Sequence, residues 1–224
     1  ASLVLTGEGL HEIMNAIFES RKIFVRMQTW IMAMITRKIV IPPFLALILI
    51  TMNSFALNPL LIVLLIFATD VVTMSISTDR VLPSVTPSRF DVRSLMLHVA
   101  APGILLMAFS LMLYWFITTK LFLSVSAIQT IIFCWLVFAS AQATLYLIRA
   151  RGYVLAKPYP SRWIIVASIF DICVVSIFAT EGWLMTDISF ALLSAVFVFA
   201  IIYLFVADLC KVGILYWVKK KYSL

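Results

Sequence analysis

The chain has 224 residues, of which 64% are hydrophobic and only 12% are charged, and its mean hydropathy is +1.12. A soluble domain is roughly 45–50% apolar and about 25% charged, so this composition excludes an ordinary soluble domain and indicates a protein surrounded mostly by lipid. The net charge of +7 does not indicate binding to nucleic acid, because the basic residues cluster at the ends of apolar runs, as they do in loops beside a membrane.

Six stretches are long and apolar enough for a helix to cross a hydrocarbon core of ~30 Å, which takes roughly 20 residues. They run approximately over residues 30–54, 59–78, 95–117, 122–148, 163–180 and 188–217. Lys and Arg concentrate in alternate loops and in the tail, so the positive-inside rule predicts that both termini are cytoplasmic. We therefore predict an all-α, multi-pass membrane protein with six transmembrane helices and the lipid bilayer as a partner.

The amino end precedes these spans and differs from them in pattern. Residues 1–9 begin with the apolar run ASLVLT, typical of a buried strand, and continue into a glycine turn. Since a single strand needs partners, we expect residues 1–9 to be the tail of a cytoplasmic domain encoded upstream. Residues 10–29 repeat apolar side chains at helical spacing among charges, which predicts a cytoplasmic stalk helix. The remaining divisions are a transmembrane domain over 30–217 and a cytoplasmic tail over 218–224.

Two spans contain helix-breaking residues. Pro42-Pro43 lies in the first span and Pro102-Gly103 in the third. Proline removes a backbone hydrogen bond, so we expect a kink at each site. Each kink is either a packing bend or unwound backbone that contributes to an ion path.

Charged groups inside the spans are the candidate functional residues, because each costs about 2.5–3.5 kcal/mol on insertion scales. Asp70 lies near the middle of the second span, too deep for its side chain to reach the headgroups. A buried carboxylate with a cation nearby can take up and release a proton; the alternative is a permanently paired structural Asp. Arg37 and Lys38 lie one to two turns inside the first span, and either extend back to the headgroups or supply the counter-charge for Asp70.

The sequence predicts other roles for the remaining polar residues of the spans. Asp208 and Lys211 are three residues apart, so they share a helix face and are predicted to form a structural ion pair. Asp171 has no obvious local partner, and its role stays open. No residues have the company and spacing of metal ligands, so no metal site is predicted. The candidates for the polar lining of an ion path are Thr69, Thr73 and Gln142.

Four patches of sequence carry a family resemblance. They are LVLTGEGLHEIMNAIFESRKIFVRM (3–27), DVVTMSISTDRVLPSVTPSRFDVR (70–93), QATLYLIRARGYVLAKP (142–158) and the weaker ADLCK (207–211). Together they resemble the carboxy-terminal half of the membrane domain of a P-type ATPase, most closely the plasma-membrane proton-pumping subfamily. The resemblance covers essentially the whole chain, as membrane helices five to ten of ten.

The resemblance implies specific roles. It makes Asp70 the proton acceptor and donor, and it makes residues 1–9 the tail of the phosphorylation domain. The family's basic partner follows a Thr-x-Arg-Ile-Val pattern, read here as Thr36-Arg37-Lys38-Ile39-Val40, which points to Lys38 and leaves Arg37 as the other candidate. Thr69 stands where the family usually has Asn, a residue of the expected gate. The implied location is the plasma membrane.

The family's catalytic motifs do not occur in this sequence. It contains no DKTGT, no TGES and no GDGxND, so no catalytic residue and no cofactor site is assigned to the chain, which is not expected to hydrolyse ATP alone. ATP and Mg²⁺ are implied for the other parts of such a pump: its actuator, phosphorylation and nucleotide domains and its four amino-terminal membrane helices. The sequence thus predicts the translocation part of an ATP-driven proton pump. The alternatives are the same family with another cation, or a catalytically inactive six-helix scaffold or channel.

Overall fold

The structure is a computed structural model that describes residues 10–83, 92–150 and 152–222. The predicted strand at the start of the chain lies outside these residues. Within them the chain forms six helices that are long and apolar enough to cross a membrane. This confirms the predicted fold class.

The helices follow one another with short connections. They are α1 (Leu10–Met52), α2 (Pro59–Met74, extended by a 3₁₀ turn, Ser75–Thr78), α3 (Val92–Lys120), α4 (Val125–Arg149), α5 (Arg162–Glu181) and α6 (Phe190–Tyr222). Helix α1 is one continuous helix that includes both the amphipathic lead-in and the first span. The end of the bundle that holds Arg26, Arg149 and Lys211 is called the basic end below.

Local sequence signals set several helix boundaries. The Asn58 side chain accepts a hydrogen bond from the Leu61 amide at 2.8 Å, and Pro59 follows at the first helical position, where its missing N–H costs nothing. Ser161 caps α5 in the same way. At the other end of α5, Gly182 has φ of 71°, a left-handed conformation that glycine adopts without strain.

The backbone departs from α geometry at a different place from the one expected. Helices α1 and α3 continue through Pro42, Pro43 and Pro102, so the backbone is not unwound there. Instead, residues Leu136–Ala143 of α4 form a π-helical segment, flanked by α-helical Val125–Trp135 and Thr144–Arg149. Such segments are uncommon and often lie at functional sites.

Helix α4 is the centre of the bundle. In its most apolar stretch 94% of the residues are buried, against 28–44% for the other five spans, whose outward sides carry large apolar residues. The indole N–H of Trp135 donates to the Ser110 hydroxyl at 2.8 Å, joining α4 to α3. Trp135 also packs against Phe199 and Tyr203 of α6. The core thus fixes α4 against the helices that bear the polar sites.

Candidate functional site

Arg37 ties α1 to α2 through its guanidinium group. The residue is 7% exposed. Nη1 donates to the Thr69 carbonyl at 3.2 Å and Nη2 donates to the Thr73 hydroxyl at 2.7 Å. Nε donates to the Ala33 carbonyl, one turn back in α1, at 3.3 Å. The charge is therefore held in one place by three oxygens.

Asp70 lies beside the two threonines that hold Arg37, but on the exposed face of α2. Thr69 and Thr73 are buried and one turn apart, with the Thr73 hydroxyl also donating to the Thr69 carbonyl. The Asp70 residue is exposed on the surface of the six-helix bundle, among apolar neighbours such as Phe67 and Met74. Arg37 donates to the carbonyl of Thr69, the residue before Asp70, but among the described residues it forms no ion pair with the Asp70 carboxylate.

Lys38, the other candidate counter-charge, is placed differently. It is exposed on α1, next to the exposed Ile39. The adjacent Arg37 points into the contact with α2. The structure therefore brings Arg37, Thr69 and Thr73 together and leaves Lys38 outside this group.

A cavity leads from the basic end towards this group. It has a volume of about 550 Å³ and lies between α1 and α2, with Arg26, Trp30, Ser77 and Thr73 among its lining residues. Arg26 and Ser77 belong to the end of the bundle, whereas the Thr73 hydroxyl is the acceptor for Arg37. The polar contact of α1 and α2 can therefore be approached from the basic end.

Gln142 and Asp171 form a second polar contact inside the bundle. Gln142 lies in the π-helical segment of α4 and Asp171 in the middle of α5, and each is 5% exposed. Nε2 of Gln142 donates to Oδ2 of Asp171 at 2.6 Å. The structure thus gives Asp171 the partner that the sequence did not show, and that partner of Gln142 is neither Thr69 nor Thr73.

Asp79 binds several polar groups at the basic end. Its carboxylate lies 2.7 Å from Nε of Arg149, and the two side chains are 1% and 5% exposed. One oxygen, Oδ1, also accepts from the Arg80 amide at 2.8 Å and the Ser161 amide at 3.4 Å, while the Asp79 carbonyl accepts from Nε of Arg26 at 2.8 Å. These five residues, the Asp79 junction, connect α1, the end of α2, the end of α4 and the start of α5. Nothing in the sequence patterns singled out Asp79, because its partner is 70 residues away.

Asp208 and Lys211 join α6 to the end of α4. Nζ of Lys211 lies 2.8 Å from Oδ1 of Asp208, and both side chains are buried. The same Nζ donates to the carbonyls of Leu147 and Ala150 at 3.0 Å each. These carbonyls lie at the carboxyl end of α4, where the helix itself supplies no further N–H groups. The pair therefore also stabilises the carboxyl end of the central helix.

A metal ion needs several His, Cys, Asp or Glu side chains that lie close together. Within residues 10–83, 92–150 and 152–222, no three His, Cys, Asp or Glu residues lie close enough to hold one. The polar groups that the bundle does bring together are carboxylates, hydroxyls, an amide, guanidinium groups and the Lys211 ammonium group. Carboxylates and hydroxyls can bind and pass protons, whereas guanidinium groups supply a fixed positive charge.

The chain is similar to a known protein over nearly its whole length. No protein-family model matches the sequence. A protein of Methanocaldococcus jannaschii, named "Putative cation-transporting ATPase", is 28% identical over 215 residues, which is 96% of this chain and 27% of that protein. The chain thus spans about a quarter of the length of the relative. Together with the six apolar helices, this similarity identifies the chain as an integral, multi-pass membrane protein.

Proposed function

We propose that the chain is the ion-translocating membrane part of a P-type, ATP-driven pump in the plasma membrane, and that the ion is a proton. The similarity to a protein named for cation transport covers all six helices. The motifs for phosphorylation and nucleotide binding belong to domains outside this sequence. ATP and Mg²⁺ act there, and the residues of this chain bind, hold and release the transported ion.

The buried guanidinium of Arg37 beside Asp70 is the observation that carries the proposal. A fixed cation favours the ionised form of a nearby carboxylate, so a proton bound to Asp70 can be released again. The same cation repels a metal ion, and a hard metal cation also prefers several oxygen ligands. Proton transfer is therefore favoured over transport of Na⁺, Ca²⁺ or Mg²⁺.

Arg37 is a better counter-charge than Lys38. The three oxygens that hold its guanidinium keep the charge at the level of Asp70. Lys38 is exposed, and its flexible chain can turn towards the headgroups. Asp70 binds the proton, Arg37 promotes its release, and Thr69 and Thr73 position Arg37.

The exposed position of Asp70 supports the presence of further helices. A carboxylate facing hydrocarbon near the bilayer centre costs about 2.5–3.5 kcal/mol on insertion scales. Four additional membrane helices of the pump would cover this side of α2 and separate Asp70 from lipid. The cavity between α1 and α2 would then supply protons from the cytoplasm.

ATP-driven acidification of vesicles that contain the full-length protein tests this function. Asp70→Asn removes the carboxylate at nearly constant volume and should abolish acidification while the protein still assembles. Arg37→Gln should also lose transport, whereas Lys38→Gln should keep most of it. Arg162→Gln is the matched control, because Arg162 is an exposed cation at the start of α5.

Each alternative gives a different result. ATP hydrolysis without a proton gradient, but with uptake of Na⁺, K⁺ or Mg²⁺, would replace the proton by another cation. No ATP hydrolysis and no ATP-driven transport under any ion condition would favour a scaffold or, if ions still cross passively, a channel. Full acidification by Asp70→Asn would refute Asp70 as the proton carrier.

A further inference from the structure

Asp171 is a buried carboxyl group at mid-membrane depth that the proposed pump cycle does not use. It is the tenth residue of the 20-residue helix α5. At 1.5 Å per residue it lies about 14 Å from the start of that helix, close to half of a ~30 Å hydrocarbon core. Its residue is 5% exposed, so neither water nor headgroups surround it.

The charged groups of the helices packed against α5 lie elsewhere. Asp70 is on the exposed surface of α2. Arg149, near the end of α4, is paired with Asp79 beyond α2, and Asp208 is paired with Lys211 on α6. None of these groups forms a hydrogen bond or an ion pair with Asp171, and the described partner of Asp171 is the neutral side chain of Gln142. An ionised Asp171 would therefore be a buried charge without a cation, which is very costly.

Only one of the two polar atoms of the Gln142 side-chain amide has a described hydrogen-bond partner. Its Nε2 donates to Asp171 at 2.6 Å, but its Oε1 is buried and accepts no hydrogen bond from the residues that the structure describes. Gln142 itself is 5% exposed, so water does not reach that oxygen from the surface. A buried acceptor without a donor costs about 1–3 kcal/mol.

A proton on Asp171 removes both costs at once. The neutral carboxylic acid carries no charge, and its O–H is the donor that Gln142 Oε1 lacks. The acid and the amide can then form two parallel hydrogen bonds, with N–H donating to one carboxyl oxygen and O–H donating to the amide oxygen. We propose that Asp171 and Gln142 form a proton-binding site, separate from Asp70, in which Asp171 is held as a neutral acid.

A second polar contact between the same helices connects this site with the basic end. The Tyr146 hydroxyl donates to the Ser168 hydroxyl at 3.0 Å, and these residues lie about one turn from Gln142 and Asp171 towards the basic end. Tyr146 lies three residues before Arg149 in α4, and Arg149 is paired with Asp79 at the basic end. In this proposal the Tyr146 and Ser168 hydroxyls are the route by which a proton from the basic end reaches Asp171.

Infrared spectroscopy of the full-length protein in lipid tests the site without measuring transport. At neutral pH we expect the C=O stretching band of a protonated carboxyl group, with a shift in D₂O. Asp171→Asn should remove this band, because the Asn amide replaces the acid and can still donate to Gln142. Glu181→Gln is the matched control, since it neutralises an exposed carboxylate at the end of the same helix and should leave the band intact.

Two further variants separate the pair from its connection to the surface. Gln142→Met removes the amide at similar length, and the band should shift because the acid loses its partner. Tyr146→Phe should keep the band but slow its shift in D₂O severalfold. Asp171→Asn with no loss of intensity in this band would overturn the proton site, and an unchanged band in Gln142→Met would overturn the pairing.

An unchanged exchange rate in Tyr146→Phe would overturn the connection through Tyr146 and Ser168.

The site does not depend on the proposed pump. Loss of acidification in Asp70→Asn reports on the pump alone, whereas the infrared band of Asp171 reports on this site. Normal helix content in each variant, measured by circular dichroism, shows that the protein has folded.

Discussion

Removal of the Asp79 carboxylate should destabilise the basic end of the bundle far more than removal of an exposed charge. In the structure Asp79 accepts from the Arg149 side chain and from the amides of Arg80 and Ser161. Asp79→Ala would leave the 5% exposed Arg149 side chain without its counter-charge. It would also leave two backbone N–H groups without acceptors, which adds to the cost.

The magnitude follows from the burial of the pair. Breaking a buried ion pair by removing one partner costs about 3–5 kcal/mol. Since about 1.4 kcal/mol corresponds to a factor of ten, local opening should become about 100-fold to about 4,000-fold more frequent. Hydrogen exchange of the Arg80 and Ser161 amides, followed by mass spectrometry on the full-length protein in lipid nanodiscs, measures that opening directly.

Two variants make the result interpretable. Asp79→Asn keeps a side-chain oxygen for the two amides but removes the charge, so its exchange rates should fall between those of the original protein and of Asp79→Ala. Glu19→Ala breaks the exposed ion pair with Lys22 on α1 and should change little. If Asp79→Ala accelerates exchange no more than Glu19→Ala does, the structural role given to the Asp79 junction is wrong.

Three further variants test individual contacts by the midpoint of thermal unfolding in detergent. Lys211→Met leaves Asp208 buried without its cation and should cost about 3–5 kcal/mol, and adding Asp208→Leu should recover part of this loss. If the stability losses of the two single variants simply add in the double variant, the pairing is contradicted. Tyr203→Phe removes the hydroxyl that donates to the Pro102 carbonyl at 3.1 Å and should cost about 0.6–1.7 kcal/mol, whereas no change would show that the bond contributes nothing. Gly103→Ala should be neutral or stabilising by up to about 1 kcal/mol, because the nearest side-chain atoms would be 3.6 and 3.7 Å from the new Cβ; clear destabilisation would show that α1 and α3 pack more tightly.

The six-helix architecture could be predicted from sequence because membrane spans depend on local composition. A run of about 20 apolar residues needs no knowledge of its neighbours, and caps such as Asn58-Pro59 mark helix starts locally. The π-helical segment Leu136–Ala143 was not predicted. Its residues are apolar or small, as in any buried span, and its geometry depends on packing in the centre of the bundle.

The polar contacts were less predictable, since they depend on which residues of distant helices meet. The ion pair of Asp208 and Lys211 is a three-residue spacing that any helix brings together. The pair of Gln142 and Asp171 joins residues 29 positions apart, so the sequence shows a lone carboxylate and a lone amide. The difference between Arg37 and Lys38 arises from rotation by one residue about α1, about 100°, which turns one side chain inward and the other outward.

The charged groups of the bundle fall into two kinds, which differ in what a proton could do to them. Asp79 with Arg149, and Asp208 with Lys211, are in direct contact near the basic end, where each pair also satisfies backbone groups. Protonation of such a carboxylate would leave a buried cation without its counter-charge and would break the contact between the helices. These pairs therefore have a permanent structural role. The three oxygens that accept from Arg37 do not include the Asp70 carboxylate, so Arg37 keeps these acceptors whether or not Asp70 is charged. A carboxyl group can therefore change its charge at this place without disrupting the fold, which is the property that a proton carrier requires.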